Sequence, residues 1–96
     1  MTSFALNLVS NSLQLTLEGE ITIQNAREMA EALQATLRPE HTLEIDAAQL
    51  TRLDAAGLQV LLSCAQTASE TTLATPCPVW TEAFTRYASP DPFRTL

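Results

Sequence analysis

Between Leu13 and Leu17 every second residue is leucine, whereas from Ala26 to Leu37 the apolar residues return every three or four positions. A period of two gives a strand one apolar face, and a period of 3.6 gives a helix one apolar stripe. The chain changes between these periods several times within 96 residues. Each change marks a new element whose apolar side must meet another before either is stable. That alternation constrains the fold more than any other feature.

Phe4, Leu6 and Leu8 alternate with Ala5, Asn7 and Val9, and Leu13, Leu15 and Leu17 alternate with Gln14, Thr16 and Glu18. Ser10-Asn11-Ser12 between them is turn chemistry, so the two runs are predicted as a β-hairpin, closed by Gly19. Ala26, Met29, Ala30, Leu33 and Leu37 form a helical stripe, with Asn25 and Glu28 at capping-box spacing and Pro39 as the stop. Thr42–Ala47 alternates again, and Ala48–Leu53 is predicted as a connector to a helix from Asp54 to about Ala68. That helix has Leu58, Leu61, Leu62 and Ala65 as its stripe, flanked by Val60 and Cys64, which predicts burial on more than one side. Thr71–Thr75 supplies a short strand, and Pro78 opens a last helix that Pro90 and Pro92 end.

The order β-β-α-β-α-β-α requires parallel pairing after each helical crossover. Because the strands alternate, one sheet face is expected to carry the helices while the other meets water. The prediction is an α/β fold of two layers, a mixed sheet with helices on one face, as a single domain over residues 1–96.

Apolar residues make up 46% and charged residues 17%, a balance that fits a packed core and not a disordered chain. The chain has no lysine; Arg27, Arg38, Arg52, Arg86 and Arg94 face eleven acids, giving a net charge of −6. With the arginines scattered, neither nucleic acid nor an anionic membrane surface is an expected partner. No apolar run is long enough to span a bilayer and Met1-Thr2-Ser3 has no basic signal region, so a cytoplasmic protein is expected. One histidine and two separated cysteines make a poor ligand set, so neither a metal nor a cofactor is expected. Cys64 is expected as a small buried residue on its helix, Cys77 as a turn residue between prolines, and His41 as a solvated loop residue. Phosphate-cradling glycine loops, a nucleophile elbow and a Cys-His pair are all missing from the sequence, so a non-enzyme is expected.

The most informative stretch is Asp54-Ala55-Ala56-Gly57-Leu58. Asp54 suits an N-cap, its carboxylate accepting from free N–H groups at the positive end of the dipole. Ala55 and Ala56 leave the first turn sterically open. Gly57 gives up about 1 kcal/mol of helix propensity relative to alanine, which points to close approach by a neighbouring strand or by a partner.

With Leu61 and Leu62 behind it, the strand Leu43–Ala47 before it and the element order around it, this motif resembles the STAS domain of bacterial anti-sigma factor antagonists. The resemblance extends to Thr75-Pro76-Cys77-Pro78-Val79, where the family often enters its last helix through small residues and proline. It implies a regulatory module that docks on a protein partner through Asp54, Ala55, Ala56, Gly57 and Leu58. The implied partner is an anti-sigma factor of the histidine-kinase-like ATPase type, or a chemotaxis signalling kinase. The alternative is the ATPase of a phospholipid-transporting ABC system (Mla-type), which also binds a STAS subunit. In the family, the partner kinase phosphorylates a serine or threonine that follows the aspartate. Here that residue is Ala55, which cannot be phosphorylated; Thr51 and Ser63 are the nearest hydroxyls. A small-ligand binder or enzyme is the third reading.

Trp80, Phe84 and Tyr87 are spaced by four and three, which places them on one side of the last helix. Taking the stripe from Val79, Ala83 and Phe84, the expectation is Phe84 inward and Trp80 at least partly exposed on its shoulder.

Overall fold

The structure, a computed structural model, describes residues 4–74, 77–87 and 90–95. Strands β1 (Phe4–Val9) and β2 (Ser12–Ile21) form the expected antiparallel hairpin, paired from Phe4↔Leu17 to Val9↔Ser12. Ser10 makes the tight turn with a positive φ of 53°. Three helices follow, α1 (Ile23–Thr36), α2 (Ala55–Thr67) and α3 (Pro78–Arg86), interleaved with β3 (Thr42–Leu53), β4 (Glu70–Leu73) and a two-residue β5 (Arg94–Thr95). The sheet runs β1-β2-β3-β4-β5 in space, parallel from β2 onward. This is the predicted mixed two-layer architecture with one added edge strand.

Leu13, Leu15 and Leu17 of β2 and Leu43, Ile45 and Ala47 of β3 are fully buried beneath the helices. The alternate residues Gln14, Thr16, Glu44 and Asp46 are half-buried on the opposite face. Met29 and Leu33 of α1 and Leu58 and Leu61 of α2 close the core from above.

Several local expectations are corrected. First, Thr22 and not Asn25 is the N-cap of α1; Asn25 Oδ1 accepts the Thr22 backbone N–H at 3.2 Å and its hydroxyl at 2.8 Å. The first turn carries Ile23 exposed at 76%, so the buried stripe starts later than the helix.

Second, the hairpin does not close at Gly19, and Ala48–Leu53 is not a connector. Strands β2 and β3 stay paired as far as Ile21↔Leu53, with register shifts between Thr16 and Glu18 and between Gly19 and Glu20. At each shift β3 carries one extra residue, so its inward positions become Ala47, Leu50 and Leu53. A bulge reverses the alternation, which hides a strand from a period-two reading. Gly19 (φ +67°) supplies the left-handed residue at the second shift.

Third, His41 is buried. Its Nδ1 accepts the Arg38 backbone N–H at 3.1 Å, and its carbonyl accepts from both the N–H and the hydroxyl of Ser69, each at 2.9 Å.

Fourth, Trp80 is fully buried rather than partly exposed. The chain returns after α3 to lay Phe93 edge-on against the indole, with centroids 5.2 Å apart, while Phe84 flanks it at 5.1 Å. Trp80 Nε1 donates to Asp91 Oδ2 at 2.8 Å, so the ring's one polar atom is satisfied. Of Trp80, Phe84 and Tyr87, only Tyr87, at the C-cap of α3, is exposed. The expected strand Thr71–Thr75 is shorter, Glu70–Leu73, and Thr75 lies outside the described residues.

Candidate functional site

The start of α2 is held by the ends of the two longest strands. Leu53 closes β3 against Ile21 of β2, and the Asp54 N–H donates to the Ile21 carbonyl at 3.1 Å. The Asp54 carbonyl then accepts the Leu58 N–H at 3.0 Å, the first helical bond, which makes Asp54 the N-cap by backbone position. Its side chain does not cap. Instead Asp54 Oδ1 accepts from Arg52 Nε at 2.9 Å. The bond and the carboxylate's charge raise the Arg52 pKa, and both groups reach solvent, so the pair contributes little stability. The N–H groups of the first turn are left without a side-chain partner.

The five residues of the motif separate into two sets. Asp54 is half-buried, Ala55 exposed and Ala56 half-buried, and these three reach the surface. Gly57 and Leu58 are buried in the chain's own core. A Cβ on Gly57 would lie 2.7 Å from Ile21 Cγ2 and 2.9 Å from Leu53 Cδ1, so the close approach that the glycine signals is made by β2 and β3. Of the two nearby hydroxyl residues, Thr51 is exposed on β3 and Ser63 is exposed on α2 in its third turn, far from the positive helix end.

Sequence reasoning missed what adjoins this surface. A groove of about 290 Å³ runs between the end of β3 and α3, with Glu20, Arg52, Glu82 and Arg86 on its rim and Val79 and Ala83 in its floor. Each arginine there is engaged by a carboxylate, Arg52 by Asp54 and Arg86 by Glu82 at 2.7 Å. The signal available in the sequence was Arg52 standing two residues before Asp54 at a strand end. A larger cleft of about 430 Å³ separates α1 from α2, lined by Leu33, Leu37, Val60 and Cys64 with Gln34 and Gln59 at its mouth.

The cysteine of the larger cleft and the single histidine of the chain are both buried. Burial pushes the Cys64 thiol up to about 11, so it is protonated near neutrality and a poor nucleophile. The His41 imidazole is buried and bonded to backbone. Among the described residues no three histidine, cysteine or acidic side chains gather as a metal-ligand cluster, and no helix is long and apolar enough to cross a membrane.

A mixed sheet covered on one face, with an open helix start fed by its longest strand, defines a small two-layer α/β domain. The chain belongs to the STAS family: the family model described as "Mlab, STAS domain" matches residues 4–87. Solved structures carry the same fold. An anti-sigma factor antagonist from Mycobacterium paratuberculosis superposes with a TM-score of 0.73 at 16% identity, over 88% of this chain and 76% of that one. The phosphorylated form of SpoIIAA, a Bacillus cell fate determinant, gives a TM-score of 0.70 at 16% identity, over 97% and 90%. An uncharacterized DUF3478-family protein with a SpoIIAA-like fold from Shewanella loihica gives 0.59 at 13% identity, over 97% and 83%. No curated protein sequence matches this chain.

Proposed function

We propose that this protein is a non-enzymatic regulatory module that docks on a protein partner of the ATPase fold and does so without a phosphorylation switch. Asp54, Ala55 and Ala56 form the contact surface, while Gly57 and Leu58 fix the helix behind it. The supporting observation is the exposed Ala55 at the first position of a helix that no side chain caps. A hydroxyl in that place would present a phosphate to the positive helix end, and a methyl group cannot. Docking is therefore constitutive. The partner is a signalling kinase in a sigma-factor or chemotaxis setting. A second reading, favoured by the family model's own description, is a cytoplasmic STAS subunit bound to the ATPase of a phospholipid transporter.

Capture from the native host, with identification of the bound ATPase, tests both. Ala56→Arg should abolish capture while leaving stability within about 1 kcal/mol, as expected of a surface change. Loss of folding together with binding would mean that the helix start is only an internal cap. A captured kinase should transfer phosphate to an Ala55→Ser variant and leave Thr51 and Ser63 of the native chain unmodified. A transporter ATPase should modify neither. Phosphate on native Thr51 or Ser63 would contradict constitutive docking.

A further inference from the structure

Strand β1 is an edge with none of the features that keep an edge strand from pairing. It has β2 on one side and, among the described residues, no strand on the other. Charges, proline, bulges or very short length are the usual protections. The opposite edge, β5, is only two residues long. β1 is six residues, Phe-Ala-Leu-Asn-Leu-Val, paired to β2 in unbroken register. It is the one strand of the five without a charged residue, in a chain whose net charge is −6.

The core also stops abruptly there. Leu13, Leu15 and Leu17 are fully buried, yet their direct cross-strand partners are Leu8, exposed at 47%, and the partly buried Leu6 and Phe4. One strand step outward, the apolar row loses its cover.

We propose that a second copy of this chain covers it, the two β1 strands pairing antiparallel about a two-fold axis through Leu6. The strand is self-complementary in that register. Leu6 faces Leu6, Phe4 faces Leu8 of the second copy, and Ala5 faces Asn7. Residues of equal parity meet, so the apolar row of each copy continues the other's and the helices of both lie on the same face of the joined sheet. The exposed Leu8 meets the largest side chain of β1. Like charges are never brought into opposition, which the charged strands of so acidic a chain could not achieve so simply. An isologous contact of this kind closes at two copies and leaves no β1 edge to propagate.

The inference concerns the chain alone and stands apart from the docking surface on α2. Sedimentation equilibrium of the full chain should give twice the 10.5 kDa monomer mass. Leu8→Lys should halve it with unchanged circular dichroism. Ala5→Cys and Asn7→Cys lie at exposed positions, so neither should disturb folding. When the two are mixed and mildly oxidised, an inter-chain disulfide should form, because directly opposed Cα atoms in an antiparallel pair sit about 4.5–5.5 Å apart. Either variant alone should cross-link far less. Cys64 and Cys77 are buried and contribute little background. A monomeric native chain would overturn the proposal. So would a dimer that survives Leu8→Lys, or one that gives no preferential Ala5–Asn7 cross-link.

Discussion

At Gly57 two opposed free-energy terms meet on one atom. Adding a methyl group gains about 1 kcal/mol of helix propensity over glycine. The same methyl would stand 2.7 Å from Ile21 Cγ2 and 2.9 Å from Leu53 Cδ1, both on fully or nearly fully buried side chains. Cγ2 is fixed by the single χ1 of a β-branched residue, so it cannot swing aside without moving the strand. Overpacking of this kind costs about 1–3 kcal/mol and should outweigh propensity. Gly57→Ala is therefore expected to lower stability in urea unfolding by up to about 2 kcal/mol, the overpacking cost less the propensity gain. In an Ile21→Ala background, where Cγ2 is gone, the same change should be neutral or stabilising. Equal effects in both backgrounds would show that this contact does not hold the glycine in place. The sequence disclosed that something approaches Gly57, but not what. Identifying Ile21 required knowing that β2 continues past Gly19, and the polar run Glu18-Gly19-Glu20 conceals that.

Among the elements, those whose burial pattern keeps a single period are legible in the sequence, and those shaped by distant contacts are not. The stripes of α1 and α2 and the alternation of β1, β2 and Thr42–Ala47 place the layers correctly. The far half of β3 is lost because two bulges change its parity. The placement of Asp54 is legible, but its carboxylate is not, since Arg52 competes for it across a strand end. Helix α3 fails for another reason. Its stripe correctly turns Phe84 and Ala83 inward, yet Trp80 is covered by Asp91 and Phe93, which lie beyond the helix and cannot enter its periodicity. Trp80 emission should accordingly be blue-shifted and resistant to iodide. Phe93→Ala, a large-to-small change at a buried site, should cost about 3–5 kcal/mol. Under conditions where that variant remains folded, iodide should reach the indole while helical signal persists. Ready quenching of the native chain would contradict the burial of Trp80.

Over the whole molecule, charge works against compactness. Eleven acids face five arginines, and every carboxylate is exposed or half-buried rather than committed to the core. Among the described residues only two ion pairs form, Arg52–Asp54 and Arg86–Glu82, and both reach solvent. Exposed pairs contribute about 0–1 kcal/mol each, too little to offset a net charge of −6 acting through the whole fold. The relevant length is the screening distance. The molecule measures 32 × 27 × 20 Å. At 0.01 M salt the Debye length is about 30 Å, so carboxylates on opposite faces still repel; at 0.1 M it is about 10 Å, and only neighbours do. Raising sodium chloride across that range should therefore move the urea midpoint upward, with the slope against urea unchanged, because the buried surface stays the same. A downward shift would mean that the two ion pairs, which salt also weakens, matter more than the excess of acids. The same screening acts between copies approaching along their β1 edges. Dimer dissociation should tighten over the same salt range, whereas an association held by opposite charges would loosen.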